Sequence, residues 1–178
     1  MKFTSARLPG VFHISLQPQE DHRGYLLRTY CEDTFAAHGL NTCWKQCNQT
    51  LTHELGAVRG MHWQTEPHAE IKLVRCLSGR VWDVVVDIRR DSPTFGQWEA
   101  FELCAENPSA LYIPAGYAHG FQCLLPSSIL FYMMSAPYMP EYARGLRWDD
   151  PLVAIPWPLP ASGISARDME QPQLSDLK

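Results

Sequence analysis

The chain has 178 residues, 46% of them hydrophobic, and its 15 Lys and Arg against 19 Asp and Glu give a formal net charge of -4. This balance, without a run of basic residues, argues against a nucleic-acid partner. No apolar run approaches the roughly 18 residues that a membrane span needs. The N-terminal segment MKFTSARLPGVFHISL lacks the apolar stretch of a signal peptide, so we expect a soluble, cytoplasmic protein with one domain over residues 1–178.

In chain order, EDTFAAHGL, beginning at Glu32, is the one segment that predicts a helical turn or two. From Gly56 to about Tyr138, short runs rich in Val, Ile, Phe and Trp alternate with turn sequences such as LSGR, AENPSA and IPAGYAHG. Strands at this spacing are typical of an antiparallel sandwich or barrel. Prolines concentrate near the C-terminus, which predicts an irregular arm over the barrel.

The six cysteines form no CxxC pair, and most lie inside apolar runs such as VRCLSG and GFQCLL. In an intracellular protein this pattern favours free, buried thiols over disulfides or metal ligands.

Strand alternation separates a polar set of side chains from an apolar one. In GMHWQ, His62 and Gln64 share one face, and Met61 and Trp63 share the other. In IKLVRCL, Lys72 lies on the side of Val74 and Cys76, where a lysine needs a partner or a function. We therefore expect one sheet face to line a pocket.

Six motifs occur in order along the chain: DHRG from Asp21, QCNQT from Gln46, VRGMHWQ from Val58, KLVRCLSGRVWDVVVDIRRDSPTFGQW from Lys72, LYIPAGYAHGF from Leu111 and WDDP from Trp148. Together they resemble the dTDP-4-dehydrorhamnose 3,5-epimerase family of nucleotide-sugar enzymes, over roughly residues 10 to 175. The resemblance implies an all-β cupin jelly roll, or double-stranded β-helix, with short helical segments. It also implies a homodimer that shares N-terminal strands, and no metal or organic cofactor.

The implied substrate is a nucleoside-diphosphate 4-keto-6-deoxyhexose, with dTDP-4-dehydro-6-deoxyglucose as the first expectation. A C–H bond beside a ketone is acidic only if the enolate is stabilised, so the site needs a base, a positive donor near the ketone oxygen and an acid on the opposite sugar face. The resemblance assigns the base to His62, its carboxylate partner to Asp168, enolate stabilisation to Lys72 and the acid to Tyr132.

The resemblance also implies residues that bind the substrate. Arginine's fork of donors suits a diphosphate, and an aromatic ring suits a nucleobase. The implied positions are Arg23, Arg59, His119 and Arg167 for the sugar and phosphates, Tyr138 for stacking on the base, and Gln46 and Asn48 in the polar run beside it.

Three positions depart from the family pattern, and each loses a carboxylate: Arg28, Cys47 and Ala143. Arg28 is the informative change. Arginine donates hydrogen bonds and therefore suits the N3 and O2 acceptors of cytosine, whereas a carboxylate suits the N3–H donor of thymine. We therefore include Arg28 among the substrate-binding candidates, with a cytidine-diphosphate sugar as an alternative substrate. The other interpretation is that Arg28 faces away from the base or reaches a phosphate, and thymidine is retained.

Other functions also fit parts of the pattern. A metal-dependent cupin could use His62, His68 and His119, although Gln64 stands where an H-x-H pair would need its second histidine. A binding module without catalysis would require a broken His62–Asp168 dyad, and both residues are present.

An enzyme that inverts C3 alone uses the same base and acid, so the sequence does not separate it from a C3,C5 epimerase. Arg75, on the opposite strand face from Lys72, is expected to be structural.

Overall fold

The chain is mainly β-structure in the computed structural model, which describes residues 1–177. Within that part there are two α-helices, α1 (Glu32–Ala37) and α2 (Ala166–Met169), and 3-10 turns at Pro140–Tyr142 and Leu174–Asp176. The strands there are β1 (Lys2–Ser5), β2 (Phe12–Ser15), β3 (Gln19–Asp21), β4 (Gly24–Leu26), β5 (Gln46–Thr52), β6 (Val58–Gln64), β7 (Lys72–Ser78), β8 (Arg80–Asp87), β9 (Trp98–Cys104), β10 (Ser109–Ile113), β11 (Tyr117–Cys123), β12 (Ser128–Met134) and β13 (Ala143–Gly145).

Eleven of these strands form two antiparallel sheets, and β3 and β4 pair with each other. One has six strands in the order β1-β2-β10-β7-β12-β5, and the other has five in the order β13-β6-β11-β8-β9. Neighbours in the sheets are often distant in the chain, as expected for a jelly roll and not for a simple meander. The prediction of an all-β fold is confirmed.

The main core lies between the inner faces of the two sheets. Val74 and Leu130 of the six-stranded sheet and Val85 and Phe121 of the five-stranded sheet are at most 3% exposed. Because side chains alternate along a strand, Lys72 points to the same inner face as Val74. The inner faces therefore carry both the core and, at one end, polar residues.

The C-terminal arm covers the outer face of the five-stranded sheet. Met61 and Trp63 of β6 pack there with Leu146, Val153 and Ile155. As expected, the two pairs lie on opposite faces of β6. His62 and Gln64 face the space between the sheets, and Met61 and Trp63 lie under the arm. The predicted irregular arm is confirmed.

Helix α1 covers the outer face of the six-stranded sheet. Its Phe35 is 1% exposed and packs with Ile14 and Tyr112, a burial that contributes roughly 2–3 kcal/mol. Glu32 and Asp33 in the first turn suit the helix dipole. The chain leaves the helix through Gly39, whose φ of 69° favours glycine.

The hairpin β3–β4 differs from the rest of the sandwich, because its strands pair only with each other. Tyr25 is 64% exposed and Leu26 is 75% exposed. An isolated two-stranded hairpin with exposed apolar side chains is only marginally stable in water. It extends the fold without contributing to its core.

All six cysteines are free thiols, as predicted. Cys76, Cys104 and Cys123 are buried, and burial raises the pKa of the Cys76 thiol to about 11. The expectation of burial was wrong for Cys43 and Cys47, which are exposed. No helix within residues 1–177 has the length and apolar character to cross a membrane.

Candidate active site

A cavity of about 490 Å³ opens at one end of the sandwich, between the inner faces of the sheets and beside α2. Ten of the residues selected from the sequence line it: Gln46, Asn48, Arg59, His62, Lys72, His119, Tyr132, Tyr138, Arg167 and Asp168. The strands, loop and helix that supply them are far apart in sequence. The fold thus brings the whole proposed catalytic set to one place.

His62 and Asp168 form a hydrogen-bonded pair, with 2.6 Å between His62 Nε2 and Asp168 Oδ1. The carboxylate is 6% exposed and is also reached by the backbone N–H of Gly60 at 3.4 Å. Ser165 caps α2 by accepting the backbone N–H of Asp168, which holds this residue at the cavity wall. With Nε2 facing the carboxylate, Nδ1 is the ring nitrogen left to take a proton.

The electrostatics of Asp168 favour its ionised form. Burial alone would raise the pKa of this carboxyl, but the hydrogen bonds and charge interaction with His62, together with the Gly60 and Ser165 contacts, outweigh burial and lower its pKa. An ionised carboxylate at this position stabilises an imidazolium and fixes the ring orientation. This is the arrangement that a histidine base needs.

Gly60 allows β6 to pass close to β11 beside this pair. Its φ is 132°, and a Cβ there would lie 2.5 Å from the Cα of Gly120. The two strands pair His62 with His119 directly. A side chain at position 60 would therefore displace the strand that carries His62.

Lys72 is buried at the inner end of β7. Its Nζ donates to the carbonyl of His62 at 3.1 Å and lies 3.1 Å from Glu70 Oε1. Both side chains of the Lys72–Glu70 pair are 6% exposed. Lys72 is thus paired with a carboxylate in a buried part of the cavity wall, where a positive group would interact strongly with negative charge on a ligand.

Tyr132 lies on the inner face of β12 and is 8% exposed. Its hydroxyl is 3.4 Å from Thr50 Oγ1, and its ring meets His119 edge-on. Burial raises the pKa of Tyr132 above its ordinary value, and the Thr50 hydrogen bond opposes this only in part. The phenol therefore keeps its proton at neutral pH and can act as an acid.

His119 belongs to a second histidine–carboxylate pair, which sequence reasoning did not identify. Its Nε2 lies 2.9 and 3.0 Å from the two oxygens of Asp83, and both residues are buried. Asp83 interrupts the apolar run VWDVVVD on the same face as Val81 and Val85. A buried carboxylate in such a run is the signal that could have revealed it.

Exposed cationic and polar side chains line the outer part of the cavity. Arg59 and Arg167 lie there as predicted, and Arg144, which the sequence analysis did not select, joins them. The Arg144 guanidinium is held by the carbonyls of Glu141 and Ala143 at 2.8 and 2.9 Å. Tyr138 is 52% exposed, as a ring available for stacking must be.

Arg23 and Arg28 do not line this cavity. Arg23, in the β3–β4 turn, pairs with Asp21 at 2.6 Å, and its side chain is 77% exposed. Arg28 lines a separate hollow with Gln17 and Gln19. Within one chain, the structure thus does not bring either arginine to the cavity wall.

The remaining sequence-based expectations also have definite positions. Arg75 is not among the residues that line the cavity, as expected for a structural role. Ala143 lines it, whereas Cys47 is exposed and does not. Among residues 1–177 no cluster of three or more His, Cys, Asp or Glu is placed to hold a metal. His68 packs against the Tyr142 ring, with 4.5 Å between the ring centroids.

The double sheet, with a carboxylate-paired histidine, a buried lysine and a buried tyrosine around one cavity, fits the class of cupin enzymes that move protons without a redox step. The family model described as dTDP-4-dehydrorhamnose 3,5-epimerase matches residues 5–176. A curated dTDP-4-dehydrorhamnose 3,5-epimerase of Sinorhizobium fredii is 41% identical over 178 residues, which cover 99% of this chain and 91% of the relative. The chain belongs to the dTDP-4-dehydrorhamnose 3,5-epimerase family.

Solved structures agree with this assignment. A Legionella pneumophila 3,5-epimerase in complex with dTDP-4-keto-L-rhamnose superposes with a TM-score of 0.95 at 31% identity, covering 99% of this chain and 94% of the other. A 3'-monoepimerase of Streptomyces bikiniensis in complex with dTDP-quinovose superposes with a TM-score of 0.90 at 32% identity, covering 96% and 86%. The cupin jelly roll and the isomerase class predicted from sequence are confirmed.

Proposed function

We propose that the protein inverts C3 and C5 of dTDP-4-dehydro-6-deoxyglucose, or of a closely related nucleotide-linked 4-keto-6-deoxyhexose. The observation that carries the proposal is the convergence of the His62–Asp168 pair, Lys72 and Tyr132 on one cavity. The Legionella relative, bound to a dTDP-linked 4-keto sugar, supports this substrate class. Solvent deuterium exchange into the sugar tests the proposal directly.

In the proposed reaction, His62 Nδ1 takes the proton from the carbon beside the ketone. Asp168 stabilises the imidazolium that forms, and the Lys72 ammonium stabilises the enolate oxygen. Tyr132 then delivers its proton to the opposite face of the same carbon, so the configuration inverts. Solvent restores the proton on Tyr132 and removes the one on His62, and the cycle needs no redox step.

The outer residues of the cavity suit the nucleotide. Arg59, Arg144 and Arg167 offer guanidinium donors for the diphosphate. Tyr138 supplies a ring for the base, with Gln46 and Asn48 beside it. His119, whose Nε2 faces Asp83, would accept a hydroxyl proton of the sugar through Nδ1.

We also propose that the protein is a homodimer in which the N-terminal strands are shared. Two features support it: the β3–β4 hairpin with exposed Tyr25 and Leu26, and the unpaired edge of β5 in the six-stranded sheet. An exchanged hairpin is the route by which Arg23 and Arg28 would reach a cavity, that of the second copy. The free thiols suit a reducing compartment, so a cytoplasmic location is part of this proposal.

Two variations of the reaction have their own support. A C3-only epimerase is favoured by the likeness to the Streptomyces 3'-monoepimerase, and the same base and acid would serve it. A CDP-linked sugar is favoured only by Arg28, and only if the hairpin reaches the base. Solvent exchange at C3 alone, or at both C3 and C5, distinguishes a C3-only epimerase from a C3,C5 epimerase. Competition between CDP and dTDP distinguishes the two nucleotides.

A further inference from the structure

Glu70 is a buried carboxylate in the cavity wall to which neither the sequence analysis nor the reaction above gives a role. Its Oε1 lies 3.1 Å from Lys72 Nζ, and Oε2 accepts from Gln64 Nε2 at 3.1 Å. An ammonium has three N–H donors. The Glu70 carboxylate and the His62 carbonyl occupy two of them, which leaves one for a ligand in the cavity.

Gln64 connects this ion pair to the segment that carries Tyr138. It is 3% exposed, and its Nε2 is within 3.1 Å of three acceptors: Glu70 Oε2 and the carbonyls of His68 and Pro137. Its Oε1 accepts the backbone N–H of Met139 at 2.6 Å. Acceptors on one side and a donor on the other fix the amide orientation, and the bonds to residues 137 and 139 hold both neighbours of Tyr138.

We infer that Glu70 and Gln64 are positioning residues of the epimerase site. Glu70 orients Lys72 so that its remaining N–H faces the substrate ketone, and Gln64 holds Glu70 and the Tyr138 segment in the same network. Enolate stabilisation and nucleotide binding thus depend on one buried set of hydrogen bonds. The inference rests on the proposed function for the role of Lys72.

The geometry explains why a neutral isostere would not serve at position 70. A glutamine there can accept from Lys72 through its oxygen, but its amide then turns an N–H toward Gln64 Nε2, and two donors oppose each other. If Gln64 flipped to relieve this, its oxygen would face the carbonyls of His68 and Pro137. The carboxylate is the group that satisfies both neighbours.

The first test is a double-mutant cycle between Glu70→Gln and Lys72→Met, with turnover followed by proton NMR. If Glu70 acts through Lys72, Glu70→Gln lowers kcat about tenfold or more in the native background and less than about twofold in the Lys72→Met background, whereas any rise in KM, which passes through Gln64 and the Tyr138 segment, is the same in both backgrounds. Glu70→Asp, which keeps the charge on a shorter chain, loses less and serves if Glu70→Gln does not fold. Glu102→Gln, in the exposed pair with Arg80, is the matched control and leaves kcat unchanged.

If Glu70→Gln lowers kcat equally in the native and Lys72→Met proteins, or lowers it in neither, the proposed role of Glu70 is overturned. Gln64→Met is tested without turnover, by calorimetry with dTDP: binding weakens several-fold, and adding Tyr138→Ala weakens it little further. If Gln64→Met and Tyr138→Ala each weaken dTDP binding and the two factors multiply in the double variant, Gln64 does not act through Tyr138 and its proposed role is overturned. If native enzyme exchanges no deuterium, the proposed function fails, while the dTDP measurement still decides whether Gln64 positions the Tyr138 segment.

Discussion

His62 and Asp168 are 106 residues apart in sequence, yet 2.6 Å separates the imidazole Nε2 from the carboxylate Oδ1. The strand β6 supplies the histidine, and the short helix α2 at the end of the C-terminal arm supplies the carboxylate. The arm therefore does more than cover the outer face of the sheet. It returns to the cavity edge and places the Asp168 carboxylate beside His62.

Replacing Asp168 with asparagine tests this pair. The amide cannot stabilise an imidazolium and presents a donor as well as an acceptor, so we expect kcat to fall by about 10²- to 10⁴-fold. The folded content, followed by circular dichroism, should remain, because the side-chain volume is unchanged. A variant with near-native turnover would show that His62 does not depend on this carboxylate.

Replacing Tyr132 with phenylalanine separates proton removal from proton delivery. His62 can still form the enolate, but the opposite face lacks its acid, so the proton returns from the His62 side. We expect deuterium to enter the substrate while formation of the epimer falls by about 10²-fold or more. Efficient inversion by this variant would assign the acid to another group.

The exposed hairpin predicts a dimer that Leu26→Asp weakens. A charge on this exposed apolar side chain costs nothing in a single chain, but it opposes burial against a second copy. Sedimentation velocity should show a native dimer and a Leu26→Asp monomer. Leu152→Asp is the control, because Leu152 is 67% exposed in the C-terminal arm. A monomeric native protein would contradict the shared-strand proposal.

The Arg28 hypothesis predicts a change in nucleotide preference. Native protein should bind CDP at least as well as dTDP, and Arg28→Glu should shift the preference toward dTDP by about tenfold, because a carboxylate accepts the thymine N3–H and repels acceptors. Calorimetry with both nucleotides measures this, and Arg90→Glu, an exposed change, is the control. The same preference in native and Arg28→Glu protein would leave thymidine as the substrate base.

Asp87 predicts a pH-dependent contribution to stability. Burial raises its pKa, but hydrogen bonds from Arg89, Ser92 and Thr94 outweigh this and lower it to about 2, from 3.8. The folded state thus gains about 2 kcal/mol from the ionised group. Because the folded pKa is depressed, this gain is present above pH 4 and is lost as pH falls toward 2. Urea unfolding of native and Asp87→Asn protein should differ at pH 7 and converge near pH 2; a constant difference would contradict it.

The sequence predicted the parts of the site that follow strand alternation or ordered motifs. Lys72 and His62 could be placed on an inner face by period two alone, whereas Asp168 was available only through the family resemblance, since it lies in a polar tail. Asp83 was missed although it interrupts an apolar run, because its partner His119 lies on the neighbouring strand β11, and Glu70 was missed although it stands two residues before Lys72. Arg23 lies in the β3–β4 turn and Arg28 two residues after β4, and neither lines the cavity of its own chain, which the motifs alone did not indicate.

The most direct test of the central claim is proton NMR of dTDP- and CDP-4-keto-6-deoxyglucose with the enzyme in D₂O, beside a His62→Ala control. We predict that native enzyme introduces deuterium at C3 and C5 and that His62→Ala does not; labelling at C3 alone would mark a monoepimerase. Absence of exchange with both substrates, or equal exchange by His62→Ala, would contradict the proposal that His62 is the base of an epimerase.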